Sequence, residues 1–200
     1  MVFGMNASKR KGDQGEREAV EVLCRLAPDL VTPKPRRKLG AGRHDDVGDL
    51  DVFCDVAVQV KTLGTSTAAL RQAAQGAVQQ ALRANLPLHL GMAPVPRARR
   101  DAVRWLAAVT RWPSGPIPAD ELLVTGRISL AVSHARQERA GIPRHRRISL
   151  ITRSDAEPIY VAPIEAWVAA YRAVRLEGAG AVIQGSGDLS PHGSGQTVAR

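Results

Sequence analysis

Residues 49–61 read DLDVFCDVAVQVK, and this stretch decides the fold. Its apolar and β-branched residues alternate with polar ones, which is typical of β-strands. Because successive side chains of a strand point to opposite faces, Asp49 and Asp51 are predicted to share one face, and Gln59 and Lys61 likewise. The stretch therefore predicts two short strands or one bent ribbon, with Val56, Val58 and Val60 forming an apolar stripe opposite Gln59 and Lys61.

The sequence around this stretch predicts an α/β fold with a mixed central sheet flanked by helices. Helices are predicted over 12–26, 67–84 and 164–175, with Thr67 as the N-cap of the second. Strands are predicted over 86–94, 103–110, 122–132, 147–153 and 158–163. These elements define one domain over residues 1–176, whereas residues 177–200 are rich in Gly and Ser and are predicted to be a disordered tail.

The charge of the chain indicates a polyanionic partner. It has 28 Lys plus Arg against 19 Asp plus Glu, a net charge of +9, and a pI near 10.5. Nucleic acid is the first candidate, anionic membrane surface the second, and a basic surface kept for solubility is the alternative. An aromatic content of 4% argues against a single-strand binder built on stacked aromatic residues.

The basic residues cluster, and the clusters are the candidate DNA contacts. They lie in the polar lead-in 6–11, in an exposed loop over 31–46, and in the basic segment that precedes the strand at 147–153. The candidate contacts are Lys9, Arg10, Lys11, Lys34, Arg36, Arg37, Lys38, Arg43, Arg144, Arg146 and Arg147. Lysine and arginine at such positions bind backbone phosphates of any sequence.

Cysteine usage and hydropathy indicate a cytoplasmic setting. The chain has 2 cysteines, Cys24 and Cys54, and neither belongs to a CxxC or Cys/His group. Free thiols are the ordinary state in a reducing compartment. No apolar run approaches the roughly 20 residues of a membrane span, so no membrane partner is expected.

If the segments 49–51 and 59–61 pair, a carboxylate, an amide oxygen and an ammonium meet at one end of the sheet. Hard oxygen ligands of this kind hold Mg²⁺ or Mn²⁺, which polarises a phosphate and lowers the pKa of an attacking water. A lysine beside the ion orients that water or stabilises charge developing on phosphorus. The alternatives are an ordinary turn aspartate for Asp49 and a surface lysine for Lys61.

This pattern resembles the PD-(D/E)XK nucleases: Gly48-Asp49, then Gln59-Val60-Lys61 at the end of an apolar strand. Upstream, residues 11–18 (KGDQGERE) resemble the KGxxxER helix start of Holliday junction resolvases in that superfamily, including small phage versions. The resemblance covers residues 9–80. It implies a restriction-endonuclease-like core, Mg²⁺ or Mn²⁺ as cofactor, and DNA, branched or duplex, as substrate.

Residue by residue, the resemblance places a metal-associated glutamate at Glu16 and the metal-binding aspartate at Asp49. It places the second metal ligand at Gln59 and the catalytic lysine at Lys61. The helix after the lysine often supplies a polar residue to such sites. Gln75, which shares a helical face with Gln72 and Gln79, is predicted to be that residue, and the alternative is an exposed glutamine face. The acidic residue usual two positions before the lysine is a glutamine in this chain. Because an amide brings no charge, metal binding is expected to be weaker unless Glu16 or Asp51 compensates.

Three functions stay open on the sequence. The first is a structure-selective, metal-dependent endonuclease of the Holliday junction resolvase kind, for which a homodimer is expected because two symmetric cuts need two sites. The second is a nuclease-like DNA-binding protein that has lost cleavage. The third is a basic structural or assembly protein. Metal-dependent nicking distinguishes the first from both others.

Overall fold

The computed structural model describes residues 3–38, 49–95, 103–137, 142–154 and 156–184. The helices are α1 (Phe3–Leu26), α2 (Ser66–Ala84), α3 (Ile128–Arg136) and α4 (Ile164–Gln184). The strands are β1 (Arg36–Arg37), β2 (Leu50–Asp51), β3 (Val56–Val60), β4 (Leu88–Pro94), β5 (Trp105–Val109), β6 (Leu122–Thr125), β7 (Ile148–Arg153) and β8 (Ala156–Pro163). Short 3₁₀ turns cover Ala119–Glu121 and Arg144–Arg146.

Within the described residues the strands form one 8-stranded sheet, in the order β1-β2-β3-β4-β5-β8-β7-β6. The pairs β3–β4 and β6–β7 are parallel, and the other neighbours are antiparallel. The predicted α/β class with a mixed sheet is therefore confirmed. Because β3 and β4 are parallel neighbours, α2 is the crossover between them and covers the sheet next to β3.

One face of the sheet packs against α1 and α4. Val56, Val58 and Val60 of β3 belong to this core, as the predicted apolar stripe requires. Leu23 contributes from α1 and Trp167 from α4, and both side chains are fully buried. Alternation along β3 sends Ala57 and Gln59 to the opposite face, where α2 lies.

The other face packs against α2 and α3. Its core contains Leu70 of α2, Ala131 and Ala135 of α3, and Leu106 of β5. The helix α2 approaches very closely, because Gly91 of β4 has no side chain to hold it away. A Cβ at Gly91 would lie 2.5 Å from the carbonyl carbon of Ala73, so the backbones themselves are in contact there.

Most predicted elements are confirmed. The helix predicted over 12–26 forms as part of α1, which begins at Phe3, so the basic lead-in is helical rather than irregular. The strands predicted over 86–94 and 103–110 form β4 and β5 and pair antiparallel. None of the helices in the described part of the chain has the length and apolar character needed to cross a bilayer.

Three boundaries differ from the predictions. Helix α2 begins at Ser66, so its N-cap is Thr65, whose side chain accepts from the N–H of Ala68, and not Thr67. The predicted strand 122–132 is wrong beyond β6, because Ile128–Arg136 is helical and buries Ala131 and Ala135 at four-residue spacing. Helix α4 continues to Gln184, past the predicted end of the domain at residue 176, and residues 185–200 lie outside the described residues.

Candidate active site

Asp49 lies beside the end of β3 through a continuation of the β2–β3 ladder. Its backbone N–H donates to the carbonyl of Val58 over 3.0 Å. Its carboxylate oxygen Oδ2 then accepts from the backbone N–H of Val60 over 2.8 Å and from Nε2 of Gln59. The carboxylate thus occupies the position of the next ladder acceptor. The structure brings Asp49 and Gln59 together, as the pairing predicted from residues 49–61 requires.

Gln59 is held between Asp49 and helix α2. Its side chain is 4% exposed, and its Oε1 accepts a hydrogen bond of 2.5 Å from Nε2 of Gln80, which is also 4% exposed. Gly76 lies directly over the amide: a Cβ there would stand 3.0 Å from Oε1 of Gln59. A glycine in the middle of α2, unfavourable for the helix itself, therefore gives the Gln59 side chain its space.

Lys61 follows β3 directly. Its backbone N–H donates to the carbonyl of Met92 over 3.0 Å, which anchors the residue to β4. The side chain is half-buried. Among the described residues its ammonium has no hydrogen-bond or ion-pair partner. A charged group is therefore available at the same strand end as Asp49 and Gln59.

Glu16 of α1 is engaged by an arginine. Nε of Arg37 donates to Oε2 of Glu16 over 2.6 Å, and its NH2 donates to Oδ1 of Asp13 over 2.6 Å. Burial disfavours the charge of Arg37, but the two carboxylates outweigh it and raise the pKa of this guanidinium. Arg37 is thus an ion-pair partner of α1, with 16% of its side chain exposed, and a phosphate contact by Arg37 would have to compete with Glu16 and Asp13.

Helix α1 passes closely over the residue that follows Lys61. A Cβ at Gly15 would stand 2.2 Å from Cγ2 of Thr62, so any other residue at position 15 would displace the Thr62 side chain. The N-terminal turns of α1 extend from this point, and Lys9, Arg10 and Lys11 are exposed there. At a rise of about 1.5 Å per residue, these cations lie within about 6–9 Å of Gly15 along the helix axis.

The glutamine of α2 that reaches the site is Gln80 and not Gln75. Gln75 is exposed and lines a separate cavity of about 60 Å³ with Arg71, Thr110 and Arg153. Gln80 follows Ala73 and Ala77 at helical spacing in the buried stripe of α2. A polar residue within an apolar stripe was the signal in the sequence that could have identified it.

The remaining predicted DNA contacts divide by exposure. Lys34, Arg36 and Arg146 are exposed, Lys38 is half-buried, and Arg144 donates to Glu165 over 3.4 Å. Arg36 is 73% exposed and lies 3.6 Å from Asp51. Arg147 is 6% exposed and donates through Nε and NH2 to the carbonyl of Ile142, so little of this residue is accessible for its predicted DNA contact. Arg43 lies outside the described residues.

The donor set at Asp49 consists of one carboxylate and one amide. Across the part of the chain that the structure describes, no group of three or more His, Cys, Asp or Glu side chains could hold a metal ion. Carboxylate and amide oxygens are ligands that Mg²⁺ accepts, but Gln59 turns its N–H towards Asp49 and its Oε1 towards Gln80. The oxygen Oε1 of Gln80, beside them, is buried and has no hydrogen-bond partner within the described residues.

Comparison with protein-family models, with curated proteins and with solved structures finds no match to this chain.

Proposed function

We propose that this chain is a metal-dependent DNA endonuclease whose active site is formed by Asp49, Gln59 and Lys61. One observation carries the proposal. The carboxylate of Asp49 contacts the amide of Gln59, and Lys61, the next residue on the same face of the strand, has an ammonium without a partner among the described residues. The order of these groups along β2 and β3 is the order of the nuclease pattern that the sequence resembles.

The residues present fit a hard divalent cation. Asp49 would hold it through a carboxylate oxygen and Gln59 through its amide oxygen, and water would complete the ligands of a Mg²⁺ ion. A bound Mg²⁺ polarises the scissile phosphate and lowers the pKa of the attacking water. Glu16 could bind the ion only if its ion pair with Arg37 broke. Asp51 could bind it only if its ion pair with Arg36 broke. Asp49 and Gln59 are therefore the proposed ligands.

The protein positions the Asp49 carboxylate before any substrate arrives, because the N–H of Val60 holds its Oδ2 at 2.8 Å. Lys61 follows β3 directly and is half-buried, and its ammonium would donate to a phosphate oxygen or to the attacking water. Stabilisation by such a fixed donor is worth about a hundredfold or more in rate.

The charge of the protein supports DNA as the substrate. A net charge of +9 attracts phosphate backbones. Exposed basic residues lie on both elements that border the site: Lys34 and Arg36 at the β1 edge, and Lys9, Arg10 and Lys11 on the first turns of α1. Preference for branched DNA and assembly into a homodimer belong to the same proposal, and they rest on the resemblance of residues 11–18 to the resolvases.

The test is a nicking assay with purified protein on junction, flap, single-stranded and duplex DNA, each with Mg²⁺, Mn²⁺ or EDTA. We expect cuts with either metal, none with EDTA, and the fastest cutting on the junction. Sedimentation in the same buffers tests the dimer. DNA binding without metal-dependent cuts on any substrate would contradict the proposal.

A second function is favoured by one specific observation. Gln59 donates its N–H to Asp49, whereas two carboxylates at these positions would repel each other and require a cation. The pair is therefore stable without metal, as a DNA-binding protein that does not cleave would need. Salt-sensitive DNA binding with no nicking would support this function, and absence of both would favour a basic structural protein.

A further inference from the structure

The side chain of Gln80 is buried with one end of its amide unused. Its Nε2 donates to Oε1 of Gln59 over 2.5 Å. Its Oε1 is buried and finds no donor among the described residues. Buried acceptors are almost always satisfied in folded proteins, so an exception calls for a physical explanation. This exception is a side chain that is 4% exposed and directly contacts the proposed metal ligand.

The present orientation of Gln59 is the wrong one for binding a cation. Its Nε2 faces the carboxylate of Asp49, and its Oε1 faces Gln80. A cation at Asp49 needs the oxygen of Gln59 and is repelled by the N–H groups. If the amide of Gln59 turns over, its N–H groups point at Gln80, which must then present an acceptor. The unused Oε1 is that acceptor.

We propose that Gln80 is a positioning residue for Gln59, and that the two amides reverse together when a divalent cation binds at Asp49. This inference rests on the proposed metal site. Without the cation, the chain of donors runs from Gln80 to Gln59 to Asp49. With the cation, Gln59 donates to Oε1 of Gln80 and presents its own oxygen to the ion. Gln80 therefore provides a hydrogen bond to Gln59 in both states.

Glycine at position 76 is a requirement of this reversal. The amide of Gln59 lies beneath Gly76, where a Cβ would come within 3.0 Å of Oε1 and 3.1 Å of Cγ. A side chain at position 76 would therefore press on the amide and oppose its rotation about the Cγ–Cδ bond. Reversal of an amide exchanges atoms of similar size, so the volume of the core stays the same while its hydrogen-bond direction changes.

The direct test is nuclear magnetic resonance of the wild-type protein with ¹⁵N-labelled side-chain amides, titrated with Mg²⁺ in the absence of DNA. We expect the Nε2–H resonances of Gln59 and Gln80 to move with one common midpoint. The exposed amides of Gln75 and Gln79 serve as internal controls and should stay in place. If Gln59 responds to Mg²⁺ while Gln80 does not, the relay is wrong and the metal site stands. If neither responds, the metal site and the relay both fail.

A matched pair of variants gives a second readout. Gln80→Glu, measured near pH 8, can accept but not donate, so it favours the orientation of Gln59 that binds the cation. Because charge-assisted hydrogen bonds are roughly twice as strong as neutral ones, we expect Mg²⁺ to bind about tenfold more tightly and to raise Tm more than in wild type. Gln79→Glu adds the same charge on the exposed face of α2 and should change the affinity less than about threefold.

These variants also have outcomes that would overturn the inference. Equal Mg²⁺ affinity in Gln80→Glu and Gln79→Glu would show that only general charge matters. Should Gln80→Glu fail to fold, Gln80→Met removes both hydrogen bonds at nearly constant volume. It removes the hydrogen bond from Gln80 to Gln59 in both states, so it should lower Tm while changing Mg²⁺ affinity less than about threefold. A large loss of affinity in Gln80→Met would mean that Gln80 supports only the bound state.

Discussion

Strand β3 has a polar cluster at each of its ends, and the two clusters are built differently. At the start, Asp55 accepts from the hydroxyl of Tyr171 over 2.6 Å and from NH1 of Arg175 over 3.2 Å. At the C-terminal end of the strand, Asp49 accepts from the backbone N–H of Val60 and from the neutral amide of Gln59. Asp55 has Arg175 of α4 as an ion-pair partner, whereas the other end of β3 is followed by Lys61, whose ammonium has no partner within the described residues.

The two clusters differ in how completely their charges are paired within the protein. The Asp55 cluster joins α4 to the sheet: Tyr171 is fully buried and its ring stacks on Trp167 at 5.1 Å. Its charges are balanced within the protein. The Asp49 cluster keeps an unpaired ammonium and a buried amide oxygen without a donor in the described residues. Among the same residues, the Asp55 cluster has a buried unsatisfied atom of its own, Nε1 of Trp167, so the difference between the two ends rests on the ammonium of Lys61.

The largest expected effect is on cleavage by Asp49→Asn. Loss of a charged ligand from an ion worth several kcal/mol of transition-state stabilisation should lower the nicking rate by about a thousandfold. Asn keeps an oxygen that can accept from Val60, so Tm should change little. The matched variant Asp55→Asn should do the reverse, lowering the free energy of unfolding by about 1–2 kcal/mol with unchanged nicking. Wild-type nicking by Asp49→Asn at equal Mg²⁺ would remove the distinction between the two ends.

Lys61→Ala should lower the cleavage rate by about a hundredfold, since one preorganised donor near the phosphate is lost. Affinity for DNA, measured with Ca²⁺ in place of Mg²⁺, should fall much less, because one basic side chain among many contributes little to the total affinity. Arg127→Ala, an exposed cation at the opposite edge of the sheet, is the control for loss of charge. Parallel losses of affinity and rate in Lys61→Ala would reduce this residue to a phosphate contact.

Tyr171→Phe tests the stabilising end. Removing a hydrogen bond to a carboxylate should lower the free energy of unfolding by about 1.5–3 kcal/mol, with no change in nicking by the folded protein. Burial, together with Asp55, raises the pKa of Tyr171. Its contribution is therefore fully present below the ordinary tyrosine pKa of about 10 and is lost as pH rises above it. In denaturant titrations, the difference in free energy of unfolding between wild type and Tyr171→Phe should become smaller above that pH. A difference that does not change with pH would contradict a stabilising hydrogen bond from Tyr171 to Asp55.

The smallest effect concerns the basic residues at the β1 edge. Lys34→Ala with Arg36→Ala should flatten the slope of log affinity against log salt by up to about 2 units, at about 0.9 per phosphate contact. The control pair Arg127→Ala with Arg136→Ala lies beside β6, at the other edge of the sheet, and should leave the slope unchanged. Equal slopes for both pairs would move the DNA-binding surface away from the Asp49 end. Arg37 is excluded from the test because it pairs with Glu16 and Asp13.

The local sequence pattern predicted secondary structure correctly where the residues of one segment are sufficient to determine it. The alternation in residues 49–61 predicted β2, β3 and the faces of their side chains. It failed for α3, although Ile128, Ala131, Val132 and Ala135 have helical spacing, because β-branched residues nearby favoured a strand. It also selected Gln75 over Gln80, since exposed glutamines at helical spacing resemble a functional face whatever lies beneath the helix.

The sequence by itself determined how side-chain orientation repeats along each element. The repeat is two residues along β3, which puts Gln59 and Lys61 on one face, and it is the helical repeat along α1 and α2. These depend on backbone geometry that each segment carries with it. Only the tertiary structure decided the partners. Arg37 pairs with Glu16, and Gln80 with Gln59, because Gly15, Gly76 and Gly91 let helices approach strands closely enough for distant side chains to meet. That approach depends on the packing of whole elements, and no single segment contains the information.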